Sequence, residues 1–375
     1  MSFRSPKNLK ILQISSASSF GGGERYLVDL TNGLTARGHD VFVAVRPSSP
    51  ISDRLQIAKE NIKLFPLRNA LDALSARQLA QLVKQHHIDV VHAHMARDYS
   101  LAAYATRRSG VAFFVTRHVL FPLSSLHRRT LSKAVGVIAV SEAVERHLRS
   151  QELVNPERIV VVRNGIDVTR FDTALETFDR KKFLRAHHLP DDCLLVGSVG
   201  ELRTLKRHDD FIRAAAIVAH EVPSAHFVIA GIDTTPNCEV RASLKKLVKE
   251  LRLEDRVRFL GWLNDAEHLL LALDVFVSSS ETESFGLAIA EAMTTRTAVV
   301  TTATEGACEV VVDGKTGFIV QIGNIEGLAN GITTLLRDEK ERREFGMRGR
   351  QVIEERFSLD RMVDEIEELY RRATD

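Results

Sequence analysis

Thirteen short runs rich in Val, Ile and Leu alternate with helical patterns along the whole chain, and this alternation limits the fold more than any other feature. In the first half they lie at 11–15, 41–45, 62–67, 90–93, 112–116, 137–140 and 159–162. In the second they lie at 194–199, 226–230, 257–260, 275–278, 298–301 and 317–320. Strands separated by helices, here 24–37 and 208–220 among others, predict parallel sheets covered by helices on both faces. The charged stretch 176–188 separates the two strand-rich blocks and puts a boundary between Asp172 and Pro190. The expected domains are 1–175 and 176–356, and 357–375 is a final helical pattern with no strand after it. A chain of 375 residues with 44% hydrophobic content is long and apolar enough for two such domains.

Net charge is +2, which argues against nucleic acid as partner, but its distribution is uneven. Residues 1–175 hold 24 Lys and Arg against 14 Asp and Glu, and the remainder holds 27 against 35. The first domain should therefore carry a basic face, either a plain solvated surface or one suited to an anionic membrane or an anionic acceptor. Cys193, Cys238 and Cys308 are scattered and odd in number, with neither disulfide nor metal-ligand spacing. The start of the chain is polar and lacks the apolar core of a signal peptide. No apolar run approaches a membrane span. The expected location is cytoplasmic, with docking on the inner face of the cell membrane open.

The densest chemical signal is Ser280-Glu281-Thr282-Glu283-Ser284-Phe285-Gly286-Leu287, which turns from the apolar run 273–277 into an alanine-rich helical pattern containing Glu291. A strand that turns through glycine into a helix leaves backbone N–H groups free to hold an anion. Glu283 and Glu291 are spaced to share a helix face, and carboxylates accept hydrogen bonds from sugar hydroxyls. A phosphate cradle beside two hydroxyl acceptors suits a sugar nucleotide. An amphipathic helix with a surface glutamate pair is the plainer alternative. A second glycine-rich turn, Gly21-Gly22-Gly23-Glu24, follows the first strand, and Gly-x-Gly-x-x-Gly is absent there. A third loop, Gly200-Glu201-Leu202-Arg203-Thr204-Leu205-Lys206-Arg207, offers cations to a diphosphate at the start of the second domain. His94 and His118 end strands of the first domain.

Glu283-x-Phe285-Gly286 with Glu291 resembles the signature of the retaining glycosyltransferases of family 4. The Gly-Gly-x-Glu-type turn, the Thr-x-His ending at His118 and the Gly-x-Leu-x-x-x-Lys loop resemble the family too, in order and over nearly the whole chain. This chain has Glu201 where many members have Arg, and Arg207 where most have Gly. In 304–309 Glu305 and Cys308 replace a glycine and a proline. The resemblance implies a GT-B architecture, two doubly wound Rossmann-like domains facing a central cleft, with the last helix crossing back to the N-terminal domain. It implies that Gly22, Gly23, Gly231, Gly261, Trp262, Leu263, Phe285, Gly286, Leu287 and Glu291 hold a nucleotide-diphosphate sugar. It implies catalytic roles for His118, Arg203, Lys206 and Glu283, and an acceptor side at Glu24, with His94 and Arg97 as further candidates. Neither a metal nor another cofactor is expected. The expected partners are a UDP- or GDP-sugar, a glycan or lipid-linked glycan acceptor of the bacterial envelope, and an anionic membrane. For the last, Arg107-Arg108, Arg128-Arg129 and Lys133 flank the apolar run 119–123. A nucleotide-sugar epimerase of the same fold and a non-catalytic scaffold are the alternatives.

Overall fold

The computed structural model describes residues 8–107 and 109–375; the polar residues at the start of the chain and Arg108 lie outside them. The first sheet contains β1 (Lys10–Ser15), β2 (Asp40–Val45), β3 (Ile62–Leu64), β4 (Val90–Ala93), β5 (Ala112–Arg117), β6 (Gly136–Ala139) and β7 (Ile159–Val161). Every pairing is parallel, in the order β3-β2-β1-β4-β5-β6-β7. The second contains β8 (Leu194–Val199), β9 (Ala225–Ala230), β10 (Val257–Gly261), β11 (Val275–Ser278), β12 (Ala298–Thr302) and β13 (Gly317–Val320). It too is parallel, in the order β10-β9-β8-β11-β12-β13. The central strands are buried on both faces, which is why the sequence shows near-continuous apolar runs and no clean alternation.

Both sheets reverse direction of growth in the middle, between β1 and β4 and between β8 and β11. Loops leaving the carboxyl ends of such a pair diverge to opposite faces and open a crevice, the usual ligand position in this topology. The Gly21–Gly23 turn and His94 flank the first switch point. The Gly200–Lys206 loop and the Ser278–Gly286 turn flank the second.

The chain divides at Gly165 and again after Ser358, so residues 166–358 form the second unit. This differs from the expected boundary at 175, because the helix Val168–Thr177 packs with the second sheet. Phe171 is buried among Phe285 and Phe357, and Arg350 ties Asp172 at 2.9 Å to the Thr294 carbonyl at 2.8 Å. The helix Leu359–Thr374 belongs to the first unit. It lays Met362, Val363, Ile366 and Tyr370, a stripe at helical spacing, against that unit's core. Gly33 of the helix Gly22–Ala36 makes room for it: an added Cβ would stand 2.7 Å from Val363. Among the described residues no helix is long and apolar enough to cross a membrane.

Candidate active site

In the first unit, Gly22 and Gly23 form the opening turn of the helix Gly22–Ala36 and do not take the left-handed backbone expected of a glycine loop. Gly23 faces the His118 ring, and an added Cβ would stand 3.5 Å from it, in ordinary van der Waals contact. Glu24 turns its carboxylate back to the Gly21 N–H at 2.9 Å, so part of its hydrogen-bonding capacity caps the helix. Burial raises its pKa, against the hydrogen bonds from its own backbone and from Gly21.

His118 stands edge-on to Tyr26 at 4.8 Å and stacks with His94 at 5.8 Å. Burial first, and the neighbouring Arg117 charge second, hold His118 down to about 3. Burial and the other rings hold His94 well below 6.5. Both are neutral at physiological pH, and His94 Nδ1 and His118 Nε2 are buried without a hydrogen-bond partner among the described residues. Arg97 lies exposed on the turn after β4.

In the second unit, Lys206 Nζ lies 2.6 Å from Glu283 Oε1, which also accepts from Ser280 Oγ at 2.7 Å. Ser279 Oγ donates to the carbonyls of Lys206 and Arg207, and Glu281 N donates to the Leu205 carbonyl, so the two switch-point loops are stitched along their backbones. Gly286 adopts φ 92° and caps the helix Leu287–Thr294, whose first N–H groups are open to an anion. Phe285, expected among the ligand contacts, points its ring into the core against Phe357 at 5.4 Å and anchors the turn from below. Gly306 must be small for the same turn, since a Cβ there would stand 2.6 Å from the Glu283 carbonyl oxygen and the Phe285 nitrogen.

Arg203 is exposed and its guanidinium pairs with its neighbour Glu201 at 2.9 Å; its carbonyl accepts from Lys206 N at 3.0 Å, but among the described residues no ion pair joins its side chain to Glu283. Arg207 occupies the left-handed region (φ 47°) that a glycine would take without strain. Gly231 and Gly261 bring their loops together at the ends of β9 and β10, with Gly231 N donating to the Gly261 carbonyl at 2.8 Å. Trp262 is half-exposed beside them, its indole N–H on Asn264 at 3.1 Å, and Leu263 follows. Glu291 receives Arg170 from the helix Val168–Thr177 at 2.8 Å.

Residues 20–170 match the family model described as Glycosyltransferase Family 4, and residues 179–352 match the one described as Glycosyl transferases group 1. Alpha-maltose-1-phosphate synthase of Mycolicibacterium smegmatis is 30% identical over 346 residues, covering 86% of this chain and 88% of that protein. The chain belongs to glycosyltransferase family 4.

This glycosyltransferase is also 29% identical to the lipopolysaccharide core biosynthesis glycosyltransferase LpsE of Rhizobium meliloti, over 92% of this chain and 94% of that one. The crystal structure of Anabaena Alr3699/HepE in complex with UDP-glucose superposes with a TM-score of 0.83 at 23% identity, covering 96% and 99% of the two chains. That likeness is one of fold, two parallel-sheet Rossmann-like units of the GT-B type. Sequence reasoning about this glycosyltransferase missed Gln13, His92, Thr116 and Tyr370, which lie behind His94, and Arg170, which lies behind Glu291. Thr116 was in view only as the first residue of the Thr-x-His motif, and Gln13 and His92 only as polar residues inside the apolar runs 11–15 and 90–93; nothing local marks Tyr370 or Arg170.

Proposed function

We propose that this enzyme is a retaining hexosyltransferase that moves a sugar from a nucleotide diphosphate, UDP in the first instance, to a hydroxyl of an envelope glycan or lipid-linked glycan. The observation that carries the reading is the Lys206–Glu283–Ser280 cluster at a sheet switch point, beside the N-terminus of the helix Leu287–Thr294. Lys206 and the open helix N–H groups offer positive charge to the diphosphate as its bond to the anomeric carbon breaks. Glu283 and Glu291 offer carboxylates to hydroxyls of the sugar ring and the ribose. Arg203 turns away to Glu201 here, so the reading rests the leaving group on Lys206 and the helix, with Arg203 as a peripheral cation.

Retention follows if the acceptor hydroxyl attacks on the face the diphosphate leaves. The C–O bond to the acceptor forms as the C–O bond to phosphate breaks, and the departing phosphate oxygen takes the hydroxyl proton. This route needs no metal, because fixed cations and backbone N–H groups carry the charge. The UDP-glucose bound by Anabaena HepE supports UDP as the first nucleotide to test. Acceptor recognition falls to the first unit, where His94 and His118 present unpaired ring nitrogens.

A lipid-linked acceptor at the inner face of the membrane is supported by charge. From residue 99 to residue 141 the sequence contains no Asp or Glu but holds Arg107, Arg108, Arg128, Arg129 and Lys133 besides the buried Arg117. Within this stretch Phe121 is 54% and Leu126 84% exposed. Cations interleaved with exposed apolar side chains suit an anionic bilayer surface. Flotation with anionic vesicles at low salt tests this part, and absence of binding removes it.

The central test is calorimetric titration with UDP, GDP and their sugar conjugates, followed by turnover of Lys206→Ala. Micromolar binding of one nucleotide, lost in Glu291→Ala, is expected, with turnover of Lys206→Ala reduced on the order of 10²-fold or more. Unchanged turnover would remove the assignment of the leaving-group site. An epimerised nucleotide sugar formed from donor alone would replace transfer by epimerisation.

A further inference from the structure

We infer that His94 is a neutral hydroxyl acceptor whose tautomer is set from the C-terminal helix, through Tyr370 and Gln13 acting as positioning residues. The inference rests on the reading above for its ligand, a hydroxyl-bearing acceptor, but its internal logic is a hydrogen-bond account of the first unit alone.

Register puts the participants on one face. Gln13 of β1 pairs with His92 of β4, and His92 pairs with Phe114 of β5. Paired residues of parallel strands point the same way, as do residues two apart, so Gln13, His92, His94 and Thr116 share a face. Tyr370 meets that face from the helix Leu359–Thr374. Gln13, His92, Thr116 and Tyr370 are fully buried and His94 is 5% exposed, so no bulk water rescues a misdirected proton.

The polar hydrogens then have assigned places. Tyr370 has one proton and two polar neighbours, His92 Nδ1 at 2.5 Å and Gln13 Nε2 at 3.5 Å. The Gln13 amide N–H donates to the Tyr370 oxygen, which leaves the Tyr370 proton for His92 Nδ1. His92 must therefore carry its own proton on Nε2, which donates to Thr116 Oγ1 at 2.7 Å. With its N–H turned to Tyr370, Gln13 shows its carbonyl oxygen to His94 Nε2 at 2.7 Å, and that nitrogen has to be the donor. Since His94 is neutral, Nδ1 holds a lone pair, and that buried atom lacks a donor among the described residues.

An unmet buried acceptor is costly, and a substrate hydroxyl donating to it would recover that cost. Turning the Gln13 amide over would reverse the chain: His94 Nε2 would accept, Nδ1 would become a donor, and the hydroxyl would meet an N–H. The reversed chain also requires the Tyr370 proton to move to Gln13 and the His92 proton to move to Nδ1, so the tautomers of His92 and His94 change together.

Nitrogen NMR of the full-length wild type reads the His94 tautomer directly. An Nε2–H form is expected, and an Nδ1–H form would overturn the inference whatever the variants do. Tyr370→Phe and Gln13→Met should then raise the acceptor KM on the order of tenfold, the worth of one directed hydrogen bond. Nucleotide affinity, which belongs to the second unit, should stay within about twofold by the same arithmetic. If both variants keep the wild-type acceptor KM while the wild type turns over, the positioning role is refuted and the proposed function stands. A wild type without nucleotide binding or turnover would remove the proposed function, and the hydroxyl ligand of His94 with it.

Discussion

One guanidinium bridges two carboxylates: Arg170 lies 2.8 Å from Glu291 and 2.9 Å from Glu267. The bridge fixes the Glu291 carboxylate on the helix Leu287–Thr294 from a helix more than a hundred residues earlier in the chain. Without Arg170 two acidic groups face each other unpaired, and Glu291 turns away from its present position. Arg170→Ala is expected to weaken nucleotide binding on the order of tenfold. Arg170→Lys should recover little, because an ammonium does not fork between two carboxylates as a guanidinium does. Titration with UDP checks this, and equal affinities in wild type and both variants would contradict it.

Arg207 stands where most family members have glycine, and the structure gives the reason for glycine: φ 47° and ψ 43°. Here the strain is offset by an ion pair to the nearly buried Asp210 at 2.7 Å. Arg207→Ala keeps the strained backbone and loses the pair; Arg207→Gly loses the pair but relaxes the backbone. Chemical denaturation should find the Ala variant less stable than the Gly variant by about 1 kcal/mol.

Gly231 approaches the Gly200 carbonyl so closely that an added Cβ would stand 1.9 Å from the oxygen. Gly231→Ala must push the loop after β9 away from the loop after β8, which carries Lys206. A loss of stability of about 1–3 kcal/mol is expected, with loss of nucleotide binding at temperatures where the variant is still folded. Melting and titration on the same sample separate the two effects.

Acid should weaken the first unit more than the second. In the first, burial holds His92 and His118 down to about 3, and His94 well below 6.5. A histidine with a depressed folded pKa takes up its proton on unfolding, so the stability present above 6.5 is lost as pH falls below it. Asp98 acts in the opposite sense: burial raises it to about 6, and the folded form gains its proton first as pH falls through that value. The buried rings outnumber this carboxyl, so unfolding takes up protons on balance and the first unit loses stability as pH falls below about 6. In the second unit His208, lowered to about 4 by burial, contributes about 1.4 kcal/mol per pH unit. Calorimetric melting from pH 7 to pH 5 checks this, and a pH-independent profile would show that the buried rings are not held neutral.

All thirteen strand segments were legible from the sequence, because strands buried on both faces must be apolar along their length. The two loops of the second unit were legible as well, since Gly200, Lys206, Glu283, Gly286 and Glu291 lie in short motifs whose spacing is local chemistry. The motif did not reveal that the Phe285 ring turns into the core: a motif records that a residue is required, and a ring that holds a turn from below is required as much as one that touches a ligand.

The boundary at Gly165 was not legible, because a charged helix carries no mark of which sheet it will cover. Arg170 and Glu291, and likewise Tyr370 and His92, are separated by more than a hundred residues, and no local pattern links them. The sequence by itself determined the strands, their parallel arrangement and the two loops at the second switch point, because these depend on periodicity and turn chemistry within a few residues. Only the tertiary structure decided which cation meets which carboxylate and which polar groups meet His92 and His94. Those are settled by register between strands and by the docking of helices far apart in the chain, where burial removes water as an alternative partner.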